Sequence, residues 1–218
     1  FSYETCNHLV ERILYMKLPF LASFIVFIVW LSFTISRSRR AMEQQEKQFW
    51  YREKQANRTR RKSLDGLAYI TIPLETLPLD ACADRDDVRE CVDIIHTLSA
   101  QTIVNLTGYT NTDLKLMYGA PNITALTQYD QNYTLLARTL QKWASLLHAQ
   151  GMIPQARTIL EFAVSTKTDV SGTYRMLAGI YKSSGEPEKI NGLLESARAL
   201  PDFSRNIVLR VLQEEEPR

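Results

Sequence analysis

The clearest pattern in the chain is a set of large apolar residues that recur at helical spacing between residues 136 and 199. A shift of about 34 residues aligns this pattern with itself. Eight pairs of positions then agree in size and polarity: Leu140 with Tyr174, Trp143 with Leu177, Ala144 with Ala178, Leu147 with Tyr181, Gly151 with Gly185, Ala156 with Ile190, Leu160 with Leu194, and Ala163 with Ala197. In each copy a Gly follows the first apolar run, and a second run begins four or five residues later. The pattern therefore predicts a helix, a turn and an antiparallel helix, repeated once.

This period is one of those that characterise helical solenoids. The paired positions resemble the tetratricopeptide repeat, with two repeats over residues 131–199, about a third of the chain. In that family the first helix of each repeat lines a concave surface that binds other proteins. By position, the resemblance implies a groove formed by Arg138, Gln141, Ser145 and His148 in the first repeat and by Arg175, Gly179 and Lys182 in the second.

This implied groove has a basic balance, which suits an acidic peptide or a C-terminal carboxylate. Family members that clamp a carboxylate have Lys and Asn where this chain has Gln141 and Ser145. That departure argues against binding of a chaperone tail. The alternative is that these side chains are ordinary polar residues on a solvated helix.

The second strong pattern is an apolar run from Leu18 to Ser36, nineteen residues without a charge. As a helix it would reach roughly 28 Å, close to the thickness of a bilayer core. A signal peptide would need a basic leader, a shorter core and a small-x-small cleavage site near Ser36, and none is convincing. A buried core helix of this length is unusual in a small domain. The run therefore predicts a membrane-spanning helix over residues 18–36.

Charge is distributed unevenly on the two sides of this run. Residues 37–62 hold ten Lys or Arg and three Glu, whereas residues 63–218 hold fourteen basic and nineteen acidic side chains. Residues 1–17 carry two charges of each sign. The positive-inside rule then puts residues 1–17 outside the cell membrane and the larger domain in the cytoplasm. Because the basic charge is confined to one segment, the composition does not indicate a nucleic-acid-binding domain.

Residues 37–62 are rich in Gln, Glu, Lys and Arg, and from Ala41 to Lys62 a continuous helix is predicted. Its basic side chains suit contact with anionic lipid, with Phe49, Trp50 and Tyr51 available for the interface. The favoured interpretation is simpler: a solvated charged helix whose basic residues fix the topology.

Residues 63–80 differ from the helical segment before them, because apolar and polar residues alternate there as in a strand. Pro73 and Pro78 argue against a central strand, and no other segment offers a clear partner. An unpaired strand cannot stand alone, so we expect an extended strap that lies on the helices. It could pack outside the helical layer or occupy the groove, where Glu75 would face Arg138 or Arg175. The alternating apolar residues of this strap are Ala68, Ile70, Ile72 and Leu74.

The remaining segments, within 63–130 and 200–218, predict helices that cap the repeats. Asp84 or Asp86 can begin a helix to about Val104, and Thr110 to Tyr118 predicts a short helix ended by Gly119. The apolar face of the first is Val88, Cys91, Ile95 and Leu98. The first long repeat helix is expected over Asp130 to Ala149. A last helix is expected from Asp202 or Ser204, with Ile207, Val208 and Val211 apolar.

The sequence gives little indication of a metal site, a disulfide or a glycan acceptor. Cys82, Cys91 and His96 lack both a fourth ligand and the spacing of a common metal site. A Cys82–Cys91 disulfide would conflict with a cytoplasmic domain, so Cys91 is expected to be a reduced packing residue. Asn-x-Thr sequences occur at Asn57, Asn105, Asn122 and Asn132, but on the predicted side of the membrane they are not glycan acceptors.

Together these patterns predict an all-α protein: a transmembrane helix, a basic juxtamembrane helix, and a tetratricopeptide-like solenoid with an extended strap and helical caps. The expected function is a membrane-anchored interaction module, an adaptor or scaffold for a protein or peptide, without a cofactor, a metal or catalytic residues. Two alternatives remain open. One is a structural subunit of a larger membrane complex, and the other is an anchored enzyme with an unrecognised site.

Overall fold

The computed structural model describes the backbone of residues 3–215 and the side chains of residues 23–214. The described backbone is helical, and its single β pairing is an isolated antiparallel bridge between Tyr69 and Val104. The predicted all-α class is therefore confirmed. The chain divides into two compact units, residues 1–55 and 56–218, which are described separately.

The first helix, α1, runs from Tyr3 to Asn57 and supplies nearly all of the first unit. It contains no Gly and a single Pro, Pro19, and is otherwise made mostly of residues that are compatible with a helix. Every side chain from residue 23 to residue 52 is exposed.

Within the described residues, no helix is long and apolar enough to cross a membrane. The side chains of residues 18–22, the first five of the predicted span, lie outside the described part of the chain.

The prediction that the basic helix continues to Lys62 is wrong, because α1 ends at Asn57. The next residues instead join the folded second unit. The Lys62 amide donates to the Tyr118 carbonyl at 3.0 Å, and the Thr59 carbonyl accepts from the Ala120 amide at 3.1 Å. A continued helix would use the Lys62 amide for its own backbone hydrogen bonds and could not offer it to Tyr118.

Helix α2 spans Asp86–Ser99 and buries the four predicted residues: Val88, Cys91, Ile95 and Leu98. Neither predicted cap is used, because Arg85 occupies the N-cap without a side-chain hydrogen bond. The helix also ends at Ser99 instead of Val104. Residues 103–104 are extended, with the Ile103 carbonyl accepting from the Ile70 amide at 3.0 Å.

Helix α3, Asn111–Tyr118, agrees with the prediction. Thr110 and Asp113 form a reciprocal capping box at its start, and Gly119 ends it with a φ of 94°. A short 3-10 helix, Ala120–Asn122, leads into α4. Helix α4 spans Ile123–Ala149 and so begins earlier than the predicted Asp130.

The extra turns of α4 are held by a small second core around Leu126, which is fully buried. The other buried members of this core are Leu67, Val104, Leu106 and Leu114.

Four further helices follow: α5 is Ile153–Ser165, α6 is Ser171–Ser183, α7 is Lys189–Arg198 and α8 is Asp202–Glu215. They pack in chain order, α4 on α5, α5 on α6, α6 on α7, with α8 against both α6 and α7. Within α8, Val208, Val211 and Leu212 are buried, whereas Ile207, predicted to be on the apolar face, is exposed.

The shift that aligns the two copies in the sequence also relates their structures. The last residues of α4 and α6, Ala149 and Ser183, are separated by that same shift. Seven of the eight aligned pairs are alike in that both apolar members are buried or, for Gly151 and Gly185, both adopt a positive φ. The exception is Leu160 with Leu194, since Leu194 is only half-buried.

The strap, residues 63–80, lies on the helices and has little regular structure of its own. Ile72 and Leu77 are buried in the main core, Ile70 and Leu74 are half-buried, and Ala68 is exposed. The expectation that it has no partner strand needs one correction, because Tyr69 pairs with Val104. Val104 lies beyond the end of α2 at Ser99.

The contacts expected for a strap inside the groove are not present among the described residues. Glu75 is exposed and makes no ion pair with Arg138 or Arg175. Arg175 instead lies 4.0 Å from Glu214. Just beyond the strap, the Cys82 thiol donates to the Met152 sulfur at 3.1 Å, at the start of α5.

Candidate protein-binding surface

The seven residues implied by the resemblance lie on two helices, α4 and α6. We call this set the basic surface: Arg138, Gln141, Ser145 and His148 on α4, and Arg175, Gly179 and Lys182 on α6. Within each helix the spacings are three or four residues, which places the members of each row on one face.

Gln141 is the residue that links the two rows. Its Oε1 accepts a hydrogen bond from the Thr173 hydroxyl of α6 at 2.7 Å, and its Nε2 donates to the Ser145 hydroxyl at 3.2 Å. The Gln141 amide also lies over Gly172, where an added Cβ would come within 3.3 Å of Nε2. Gln141 and Ser145 are both half-buried; Gln141 joins α4 to α6, and Ser145 bonds to Gln141 within α4.

The charged members of the basic surface are more accessible. Arg138, His148, Arg175 and Lys182 are all exposed. The Arg175–Glu214 pair, with both side chains more than half exposed at 4.0 Å, contributes little to stability and leaves Arg175 able to exchange partners. Gly179 is half-buried, and no heavy atom lies within 4 Å of the position of an added Cβ, so the space over it is open.

Hydrogen bonds from two distant residues, of which Asn105 lies outside the repeats, hold the loop between α5 and α6. The Asn105 side-chain amide donates to the carbonyls of Thr166 and Lys167, at 3.1 and 3.0 Å. The Tyr133 hydroxyl donates to the same Thr166 carbonyl at 3.3 Å, and burial raises the pKa of Tyr133 to about 12. Lys167 adopts a φ of 59°, which is uncommon for a residue with a side chain.

Sequence reasoning missed an ion network that ties α5, α6 and α7 together. Arg157 of α5 contacts Glu186 in the α6–α7 turn at 2.7 and 3.2 Å, and Glu161 at 2.8 Å. Glu186 also pairs with Lys189. The Tyr181 hydroxyl donates to Glu161 at 2.9 Å, with the Arg157 guanidinium over its ring at 5.0 Å.

The electrostatics of this network follow from its bidentate Arg–carboxylate pair. Hydrogen bonds from Arg157 and Lys189 lower the pKa of Glu186 to about 2. Burial, then the bond to Glu161, raises the pKa of Tyr181. No spacing rule would have found these partners, because Arg157 and Glu186 are far apart in the chain and meet only when the helices pack.

Two clefts lie away from the basic surface. One, of about 660 Å³, is bordered by the strap at Tyr69, by Tyr109, by Lys167 and by Pro201. The other, of about 470 Å³, lies between α2 and α4, and we call it the acidic cleft. Its lining is Asp86, Arg89, Glu90, Asp93, Ile94, Thr97, Leu98 and Leu135.

The cysteines of the second unit are free thiols. Cys91 is fully buried, and burial raises the pKa of its thiol. The prediction of a reduced packing residue agrees with this position. In the described part of the chain, no three His, Cys, Asp or Glu residues are grouped as metal ligands.

Three of the four Asn-x-Thr sequences have structural roles. Besides Asn105, the buried Asn122 donates to two backbone carbonyls at 2.8 Å each, and Asn132 donates to a third at 2.9 Å. A glycan on the nitrogen of Asn105 or Asn122 would replace a bond that the fold uses, because each of these nitrogens donates both of its hydrogens. Asn57, the last residue of α1, is exposed.

No protein-family profile, curated protein or solved structure matches this chain. The likeness to tetratricopeptide repeats therefore stays a prediction that rests on the residues quoted above.

Proposed function

We propose that this chain is a protein–protein interaction module that binds an acidic segment of another protein on its basic surface, and that α1 anchors it in a membrane. The observation that carries the proposal is the pair of exposed cationic rows on α4 and α6. Arg138, Arg175 and Lys182 share this surface with His148, and none of the seven positions is acidic.

The charge of this surface is opposite in sign to the net charge of residues 63–218. Residues 63–218 hold five more acidic than basic side chains, so a cationic row is not what chance placement would favour. Electrostatic complementarity of this kind raises association rates and rejects basic partners. It supports an acidic peptide as the ligand.

The stiffness of the surface supports the same function. Gln141 and Thr173 join α4 to α6 directly, and Asn105 fixes the loop before α6. A surface whose two helices are held in place loses little conformational entropy when a ligand binds. The half-buried polar residues thus align the rows, and the exposed cations contact the partner.

The anchor is supported by the composition and exposure of α1. Residues 18–36 carry no charge, and the described side chains among them, 23–36, are all exposed on the helix. A helix that is apolar all round belongs in an apolar environment. The following basic residues favour a cytoplasmic position for the second unit. Contact with anionic lipid falls to the exposed residues before Asn57, since Arg61 and Lys62 hydrogen-bond within the second unit.

A fluorescent peptide of ten Asp, Glu and Ser residues tests the binding surface. We expect the full chain in non-ionic detergent to bind it, and the affinity to fall as salt is raised. Arg138→Glu and Arg175→Glu should each weaken binding by about tenfold or more, since each reverses a charge facing the ligand.

The matched control is Arg198→Glu, because Arg198 is also exposed but lies on α7. This variant should bind as the unchanged chain does. Equal binding of a peptide with Asn and Gln in place of the acids would contradict the proposal, as would equal losses in all three variants.

A further inference from the structure

Helices α2 and α8 lie at opposite ends of the packing order of the second unit. Helix α2 packs on α4, and α8 packs on α6 and α7. A stack of helices needs polar outer faces at its ends to remain monomeric. The outer faces of α2 and α8 are therefore expected to be polar.

The outer face of α8 is not polar throughout, as the end of a helical stack would require. Phe203 is 84% exposed and Ile207, one turn later, is 38% exposed. Arg210 completes the row and makes no ion pair within the described residues. We call Phe203, Ile207 and Arg210 the terminal stripe, since their spacing places them on one face.

The acidic cleft at the other end has the complementary composition. Its apolar part is Ile94, Leu98 and Leu135, of which Leu135 is 44% exposed. Around these lie three carboxylates and one guanidinium. The Asp93 carboxylate is exposed and, in the described part of the chain, has no cationic partner.

We propose that the terminal stripe of one copy of this chain docks in the acidic cleft of a second copy. Phe203 and Ile207 cover the exposed apolar part of the cleft, and Arg210 pairs with Asp93. Both halves of the contact are present on every chain. Asp86 and Glu90 of the cleft are paired with Arg89 and Lys142, so the carboxylate that complements Arg210 is Asp93. This match of charge favours a second copy over a different protein. The two surfaces differ, so the contact is heterologous and leads to head-to-tail assembly.

Complementary variants of the full chain, studied in non-ionic detergent by sedimentation velocity, test this contact. The unchanged chain should associate as its concentration rises. Phe203→Asp removes the stripe and Leu135→Asp removes the cleft, and each should be at least about tenfold weaker in self-association. Both positions are exposed, so circular dichroism should show unchanged helix content.

Mixing the two variants distinguishes head-to-tail docking from other modes. Phe203→Asp retains an intact cleft and Leu135→Asp an intact stripe, so the mixture should form a one-to-one complex and grow no further. Asn191→Asp, which adds a charge at an exposed position of α7, is the control and should associate normally.

A chain that stays monomeric at every concentration would overturn the inference, and so would a mixture of the two variants that does not combine. Self-association that both variants retain would assign the contact to another part of the chain. Neither surface includes a residue of the basic surface, so failure here leaves peptide binding untouched.

Discussion

Among single residues, those that contribute most to specificity are the buried or half-buried polar groups that meet a distant partner. Asn122 accepts from Arg61 at 2.9 Å and donates to two carbonyls, which fixes the segment after α1 onto the end of α3. Gln141 does the same for α4 and α6. Within the described residues, the Trp143 indole N–H is the one fully buried side-chain donor without an acceptor.

At the scale of single residues, the prediction concerns the pH dependence of the ion pairs of Glu186. Its pKa is lowered from 4.5 to about 2, so its ion pairs stabilise the folded state above pH 4.5. That contribution is lost progressively as the pH falls from 4.5 towards 2. Glu186→Gln should therefore lower the denaturant midpoint at pH 7, and the difference from the unchanged chain should shrink towards pH 2.

The control for this experiment is Glu195→Gln, because Glu195 is exposed on α7 and has no ion pair in the described part of the chain. It should leave the midpoint nearly unchanged at both values of pH. A Glu186→Gln variant whose deficit is as large at pH 2 as at pH 7 would count against the network.

At the scale of elements, the two repeated helices end in the same motif. The Gly151 amide donates to the His148 carbonyl and the Met152 amide to that of Leu147. The equivalent bonds recur at the aligned positions of the second copy, from the Gly185 and Glu186 amides. In both turns the Gly has a positive φ, 75° and 72°, which terminates the helix in a Schellman motif.

This equivalence predicts matched effects of substitution. Gly151→Ala and Gly185→Ala should each destabilise the chain by about 1 kcal/mol, since a Cβ disfavours positive φ. Gly192→Ala should have the opposite sign, by about 0.5–1 kcal/mol, because Gly192 lies inside α7 with open space around it. Unfolding in urea measures all three, and clearly unequal costs at the two turns would argue against their equivalence.

At the scale of the whole molecule, the proposals concern the position of the chain relative to the membrane and the molecules that it binds. The basic surface and the terminal stripe use different residues, so a partner and a second copy can bind together. The side of the membrane on which both surfaces lie depends on α1. The basic residues that follow its apolar part predict that the second unit is cytoplasmic.

Cysteine accessibility tests that orientation. Ser63 is exposed at the start of the strap, so a Ser63→Cys, Cys6→Ser chain offers a thiol in the second unit. In intact cells it should resist a membrane-impermeant maleimide and react only after permeabilisation. The chain that retains Cys6 and Ser63 should react from outside, because residues 1–17 are predicted there. The reverse pattern would invert the topology.

The sequence by itself determined the elements. Helical periodicity identified the buried face of α2 and the end of α4 at Ala149, and Gly119 marked the end of α3, because these features depend on contacts within a few residues. The alignment of the two copies likewise identified positions that are buried in both copies or, for the Gly residues, adopt a positive φ in both. The seven residues of the basic surface were implied by the resemblance to the tetratricopeptide repeat, and they lie on the two helices α4 and α6.

Only the tertiary structure decided what depends on distant partners. Residues 58–62 leave the helix because Asn122 and the end of α3 offer hydrogen bonds, and α2 stops at Ser99 because the strap pairs with residues 103–104. The same holds for the Arg157–Glu186 network and for the Gln141–Thr173 link. Local periodicity contains no information on these pairs, because their free energy exists only once the helices have packed.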